Sequence, residues 1–215
     1  MKKLIVFLGA PGAGKGTAAA AVAPKIGARH VSTGAMLREA LAAGTPAGLE
    51  AKSYMESGAL VPDAVLCRMI GELLASSADG AMLFLDGFPR NVAQAEALEE
   101  LARTSGAEVA SALLIDVPRE MLLQRLGGRR VCPKCGAGYH VVSLPPKKEG
   151  ICDACGEALV TRKDDQPATI AHRLEVYEEA TAPVIGWYEK AGKVIRIDGS
   201  KAADEVAAAV EKALA

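Results

Sequence analysis

The chain has 215 residues, half of them apolar and only 4% aromatic, with a formal net charge of −1. That length supports one substantial core plus insertions, and near-neutrality removes any global attraction to nucleic acid or an anionic membrane. No apolar run approaches the ~20 residues of a membrane span, and four of the five cysteines fall into two C-x-x-C pairs, a usage that points to a metal in a reducing, cytoplasmic setting rather than to disulfides.

Leu4-Ile5-Val6-Phe7-Leu8 is a short run of β-formers stopped by Gly9, the pattern of a strand buried on both faces of a parallel sheet. Gly9-Ala10-Pro11-Gly12-Ala13-Gly14 then supplies glycines that let the backbone approach a ligand, and an Ala-rich helix follows over 17–23. Loop N–H groups and the positive end of that helix converge where a phosphate chain would sit, and Lys15 adds a point charge for the outer phosphates. The spacing is that of a P-loop, G-x-x-x-x-G-K, with one departure: Gly16 stands where Ser or Thr is usual, and the hydroxyl comes at Thr17. A plain Gly-rich surface turn would not need strand, loop, lysine and helix in this order. Lys2-Lys3 before an apolar run imitates a secretory leader, but Lys15 arrives too soon and no cleavage-like site follows.

A weak second strand is expected over 28–32, with His30 structural in role. Helices follow, one opened by Thr33-Gly34 and carrying Arg38, a second running to Ser57 after a break at Gly44-Thr45-Pro46, and a third to Leu74 capped by Asp63. Ala81 to Asp86 is the next strong strand and ends in an acid, the Walker B pattern that organises Mg²⁺ beside a phosphate loop. Gly87-Phe88-Pro89-Arg90 reads as a rigid binding loop, and Asn91 as the cap of a helix to Arg103 with Gln94 in its first turn. Further strands are expected over 110–116 and 194–198, and Cys67 reads as a buried thiol. Pro118 should lie in the first turn of a helix that carries Arg125 into Gly127-Gly128-Arg129-Arg130, a hinge followed by an anion clamp.

Cys132-Pro133-Lys134-Cys135 and Cys152-Asp153-Ala154-Cys155, each followed by glycine, fit the two knuckles of a tetrahedral Cys₄ zinc ribbon. With no open position, such a site is structural. A pair of disulfides and an iron site are the alternatives. The segment has too little apolar content for a core of its own, so a metal would replace that core.

These motifs together, with Ser32-Thr33-Gly34, Asp86-Gly87-Phe88-Pro89-Arg90, Gly128-Arg129-Arg130 and Thr161-Arg162-Lys163-Asp164-Asp165, mean that the chain resembles the nucleoside monophosphate kinases, and among them the long, zinc-containing bacterial adenylate kinases. Gly16-Thr17 is the form that family uses; Ala35 departs from it, where an Asp is common. The resemblance covers essentially the whole chain. It implies an α/β, P-loop NTPase-like three-layer fold with a five-stranded parallel sheet: a CORE of residues 1–31, 62–127 and 166–215, a helical NMP-binding insertion at 32–61 and a zinc-binding LID at 128–165. It implies an ATP site at Gly12, Ala13, Gly14, Lys15, Gly16, Thr17, Arg129, Gly138, Tyr139 and Lys201. The AMP site falls at Thr33, Arg38, Leu60, Val61, Gly87, Arg90, Gln94, Arg162 and Arg173, and the phosphoryl group passes between them among Lys15, Asp86, Arg90, Arg125, Arg129, Arg162 and Arg173. The implied cofactors are Mg²⁺ with ATP and a structural Zn²⁺ on Cys132, Cys135, Cys152 and Cys155. A monomer acting on ATP, AMP and ADP, without nucleic-acid or membrane partners, is expected.

Two other readings remain at this level. One is a UMP/CMP kinase or another nucleoside monophosphate kinase, against which Thr33 and Gln94 suit an adenine edge. The other is a P-loop switch whose zinc ribbon binds nucleic acid, against which the ribbon offers a single aromatic, Tyr139, in a slightly acidic chain.

Overall fold

The apolar run at the start of the chain, extended by two lysines, becomes β1 (Lys2–Leu8), the middle strand of a five-stranded parallel sheet in the computed structural model, which describes residues 1–215. The sheet also contains β2 (Arg29–Ser32), β3 (Met82–Asp86) and β4 (Ala107–Asp116). A short antiparallel pair, β5 (Arg129–Val131) and β6 (Gly138–His140), precedes the last strand, β7 (Val194–Asp198). The order across the main sheet is β2-β3-β1-β4-β7.

Helices cover both faces, which is why the strands read as unbroken apolar runs. Leu4, Val6 and Leu8 face one layer with Leu83, Leu85, Ala112 and Leu114. Ile5 and Phe7 face the other with Phe84, Leu113 and Ile115. The first layer is closed by α4 (Asp63–Ser76), α5 (Val92–Thr104) and α8 (Ala182–Lys190), the second by α1 (Lys15–Val22), α6 (Arg119–Gly127), α7 (Pro167–Val176) and α9 (Ala203–Leu214). In α4 the buried residues are Val65, Leu66, Ile70, Leu73 and Leu74, one stripe at helical spacing. Each such side chain contributes roughly 1.5–3 kcal/mol by leaving water. The remaining pair, α2 (Thr33–Ala42) and α3 (Pro46–Ser57), packs chiefly on itself at the margin of the first layer, to which it contributes Leu37 and Ala51. A side chain at Gly48 would stand 2.3 Å from the Ala40–Leu41 backbone, so the two helices touch main chain to main chain.

All five strands run the same way, so the loops after β1, β2, β3, β4 and β7 leave from one edge, where open α/β sheets bind ligands. Several local expectations change. Asp63 is not a cap: Pro62 holds that place, Asp63 is the first helical residue, and its carboxylate turns to Asn91 and Gln94. Pro118 sits just before α6 rather than inside it. β4 begins three residues before the expected 110, at Ala107, because its start pairs with Lys2, Lys3 and Leu4 of β1. Cys67 is half-buried at the margin of the first layer.

Candidate functional site

Gly9 takes φ 133°, and a side chain there would stand 2.4 Å from the Ile115 carbonyl oxygen, so only glycine lets the loop close against β4. Gly14, at φ 96°, is the N-cap of α1, and no side chain caps that helix. An uncapped N-terminus of this kind is suited to an anion. Lys15 Nζ lies in this cradle and donates to the carbonyls of Gly9 at 2.7 Å and Ala10 at 3.0 Å. Burial pushes its ammonium down to about 8, with Asp86 pulling the other way.

Asp86 ends β3 beside this loop. A side chain at Gly16 would lie 2.9 Å from Asp86 Oδ2, a close approach that accounts for glycine where a P-loop usually has a hydroxyl residue. His30 Nε2 is 3.5 Å from the same oxygen. Burial alone would raise the Asp86 carboxyl, but His30 and Lys15 outweigh it and hold the group below its ordinary range. Thr17 is exposed one residue further on.

The arginines arrive from four directions. Arg129 on β5 forms a two-pronged pair with Asp165, through Nε at 2.7 Å to Oδ2 and through Nη2 to Oδ1. Arg173 on α7 reaches Asp165 Oδ1 and Asp164 Oδ2, each at 2.9 Å. Arg162 holds Asp164 at 3.0 and 2.6 Å. Arg125 on α6 reaches the Ala13 carbonyl of the phosphate loop at 3.4 Å. Burial, joined by neighbouring guanidiniums, pushes Arg38 down to about 10 and does the same to Arg173, with Asp164 partly offsetting it in both. Asp164, which burial alone would raise, is held low by Arg162 and Arg173. Sequence adjacency misleads at one point: Arg130 folds back onto the carbonyls of Gly127 and Arg129, so only one of the two clamp candidates faces the cluster.

On the other side, Thr33 is buried after β2, with its hydroxyl 3.3 Å from the Asp86 carbonyl. Gly87, at φ 86°, fits because a side chain would strike Thr33 Oγ1 at 2.8 Å. Arg90 is fixed at three points: Nε donates to Gly87 O, its N–H to Gln94 Oε1, and its carbonyl accepts from Thr181 Oγ1, each at 2.7 Å. Burial lowers its pKa, against the pull of Asp86. Gln94 is fully buried with both ends of its amide engaged, Leu60 is half-buried, and Val61 belongs to the first core layer. Lys163 pairs with Glu56 on α3 at 2.8 Å, and Arg173 packs against Gly58, so the α2–α3 unit meets the segment that carries Arg162. Lys201 is exposed beyond β7, on the same edge.

The four cysteines form a cluster with their Sγ atoms all within 4.8 Å of one another. Cys132 and Cys155 are 3.4 Å apart, Cys135 and Cys152 3.5 Å. Four sulfur donors at such separations fit a tetrahedral ion bound at about 2.3 Å. The charge pattern agrees. The Tyr139 hydroxyl holds Cys152 down to about 6, while Cys155, despite the lowering N–H of Glu157, is pushed up to about 12 by its contact with Cys132. Without a cation the four thiols cannot all ionise. Gly138 and Tyr139 lie on β6, and the Tyr139 hydroxyl accepts from the Asp153 N–H at 2.8 Å beside Cys152.

Four contributors were not among the expected site residues: Asp164 and Asp165, quoted only within a family motif, Asp63, expected only as a helix cap, and Thr181. The first two were legible as acids next to Arg162 in a charged run. Thr181 is reached only through the fold, since its partner Arg90 is 91 residues away. No helix is long and apolar enough to cross a membrane.

The family model described as adenylate kinase matches residues 7–193. A protein named adenylate kinase from Carboxydothermus hydrogenoformans is 48% identical over 210 residues, 98% of each chain. One of the same name from Syntrophobacter fumaroxidans is 50% identical over 202 residues, 94% of this chain and 95% of its own. Another, from Moorella thermoacetica, is 48% identical over 210 residues, 98% and 97% of the two chains.

Proposed function

The chain belongs to the adenylate kinase family, and on that premise we propose that the crevice along the carboxyl edge of the sheet is where its phosphoryl transfer takes place. The reaction is ATP + AMP = 2 ADP, with Mg²⁺ accompanying ATP. The observation that carries the siting is the gathering of Lys15, Arg38, Arg129, Arg162 and Arg173 around three aspartates, Asp86, Asp164 and Asp165, beside an uncapped helix end.

Phosphoryl transfer needs in-line placement and positive charge around the equatorial oxygens more than covalent help. In this reading Gly12 to Thr17 and Lys15 hold the outer phosphates of ATP, and Arg129, the Gly138–Tyr139 backbone and Lys201 take the rest of that nucleotide. Thr33, Arg38, Leu60, Val61, Gly87, Arg90 and Gln94 form the AMP side. Arg125, Arg162 and Arg173, with Arg90 and Arg129, surround the group in flight; a guanidinium serves because it stays charged and grips phosphate in two places. Asp86 is the residue to hold Mg²⁺, which supplies charge neutralisation at the outer phosphates.

Residues 32–61 and 128–165 act as two flaps on the CORE, the second hinged at Gly127-Gly128. Closing them excludes water, which would otherwise take the phosphoryl group and hydrolyse ATP; the adenylate kinase lid is itself a standard instance of such closure. Cys132, Cys135, Cys152 and Cys155 would hold a structural Zn²⁺ that stiffens the second flap. In this reading the protein is a monomer. The near-neutral charge suits action on free nucleotides in the cytoplasm, without nucleic-acid or membrane partners.

The test is a nucleotide assay: ATP, AMP and Mg²⁺ should yield ADP, with UMP and CMP poor acceptors. Lys15→Ala should stay folded and lose about 100-fold or more in kcat. Near-normal turnover in that variant would remove the P-loop from the mechanism.

A further inference from the structure

Asp63 stands at the start of α4, directly after the α2–α3 unit, and its carboxylate is met by amides rather than by a cation. Its Oδ1 accepts from Gln94 Nε2 at 2.6 Å and from Asn91 Nδ2 at 3.0 Å, and its Oδ2 from the same Asn91 nitrogen at 3.2 Å. Asn91 is in turn the N-cap of α5, accepting the Gln94 N–H at 2.8 Å. The carboxylate therefore lies at the N-terminal ends of two helices, α4 and α5.

A carboxylate can only accept, so the Gln94 amide must turn its NH₂ toward Asp63 and its carbonyl toward the Arg90 N–H. Gln94 is fully buried and has no freedom to turn over. The order of donor and acceptor along Asp63–Gln94–Arg90 is thus set from both ends, by a carboxylate that can only accept and a backbone N–H that can only donate. Thr181 fixes the opposite side of the Arg90 backbone.

We infer that Asp63 is a positioning residue for the AMP side of the crevice: it anchors the Gln94 side chain from the end opposite Arg90 and, through it, holds the Gly87–Arg90 loop in place. The inference rests on the reading of that loop as part of an AMP site. It extends that reading to a residue that touches no nucleotide and ties the loop to the root of the α2–α3 flap.

The test reverses the polarity of one hydrogen bond. Gln94→Glu keeps an acceptor for the Arg90 N–H but sets a second carboxylate against Asp63. Asp63→Asn removes the charge and, because the Arg90 N–H still holds the Gln94 carbonyl and Asn91 still needs an acceptor, sets two amide nitrogens against each other. Combined, the two changes restore a bond, because the amide nitrogen introduced at 63 donates to the carboxylate introduced at 94 while its oxygen still accepts from Asn91.

Steady-state kinetics for both substrates and thermal melting should be measured on all three variants. We expect kcat/KM for AMP to fall about 100-fold in Gln94→Glu and about 10-fold in Asp63→Asn, the range for hydrogen bonds to charged groups. The double variant should recover to within about 10-fold of wild type, with KM for ATP moving less than about 2-fold throughout. A double variant no better than Gln94→Glu alone would overturn the inference. So would losses for ATP and AMP that move together with the melting temperature, the mark of a merely structural residue. If Gln94→Glu does not fold, Asp63→Asn decides alone: a selective rise in KM for AMP supports the inference, and an unchanged KM overturns it. A wild-type protein unable to phosphorylate AMP would overturn the AMP-site reading itself, and this inference with it.

Discussion

Lys15 offers a test of the phosphate cradle that does not depend on loss of activity. Its ammonium is held by two carbonyls of its own loop, and burial pushes it down to about 8. A bound triphosphate would restore the charge, because an adjacent polyanion favours the protonated amine. Binding ATP must then draw a proton from solution at any pH where the free amine is partly neutral. With a free-site pKa of about 8 the uptake is roughly a quarter of a proton at pH 7.5 and about nine-tenths at pH 9. The apparent affinity for ATP should fall about 10-fold for each pH unit above 8.

The sign of the effect on stability follows from the same displacement. The folded-state pKa lies below the unfolded value of 10.5, so the unfolded chain binds this proton more tightly. Lys15 therefore lowers stability below pH 8, by about 3 kcal/mol at most, and that penalty disappears as pH rises from 8 to 10.5. The assay is calorimetry of ATP binding to the metal-loaded protein at pH 7.5 and 9, in buffers of different ionisation enthalpy. Lys15→Arg is the control, since a guanidinium stays charged across this range. Uptake that does not grow between the two pH values would refute the reasoning, as would equal growth in Lys15→Arg.

Three further outcomes are expected. Gly16→Ala should displace the Asp86 carboxylate, since its Cβ would sit 2.9 Å from Oδ2; a Mg²⁺ titration of turnover should show a raised requirement and a kcat lowered about 10-fold. Arg38→Ala should mainly raise KM for AMP and Arg129→Ala mainly weaken ATP use, each by about 10-fold or more; equal impairment of both substrates in steady-state kinetics would refute that division. Stripping the metal under reducing conditions should lower the melting temperature by roughly 5 °C or more, while turnover at low temperature largely survives; full loss of activity in a folded protein would place the metal in the chemistry.

What was legible in the sequence is what is encoded within a few residues. The run from Leu4 to Gly14 announces strand, turn and helix because the alternation of faces and the left-handed turn positions are properties of the local backbone. Asn91 was legible as a cap for the same reason, its acceptor and donor being three residues apart. Asp63 has the same short polar side chain before an apolar helix, yet its partners are 28 and 31 residues away, and they outcompete the local cap. Arg129 and Arg130 could not be told apart by type. Successive residues of a strand point to opposite sides, so one finds Asp165 and the other its own main chain. The β5–β6 pair that imposes this difference has three residues a strand and no periodicity to read.

The aspartates explain how so many cations share one crevice. Asp165 has a fully buried side chain and takes both Arg129 and Arg173; Asp164 takes Arg162 and Arg173. Guanidiniums crowded without counter-charge would repel one another and bear the cost of burial, as the lowered pKa values of Arg38 and Arg173 register. A carboxylate offers the same pair of oxygens that a phosphate does, so under the proposed siting these acids would compete with phosphate oxygens for the guanidiniums. Binding would then exchange one oxygen pair for another instead of bringing bare charges together, and on that siting the arginines would need little reorganisation when charge develops on the transferring group. Preorganisation of that kind is where most of the rate enhancement of such a site is expected to lie.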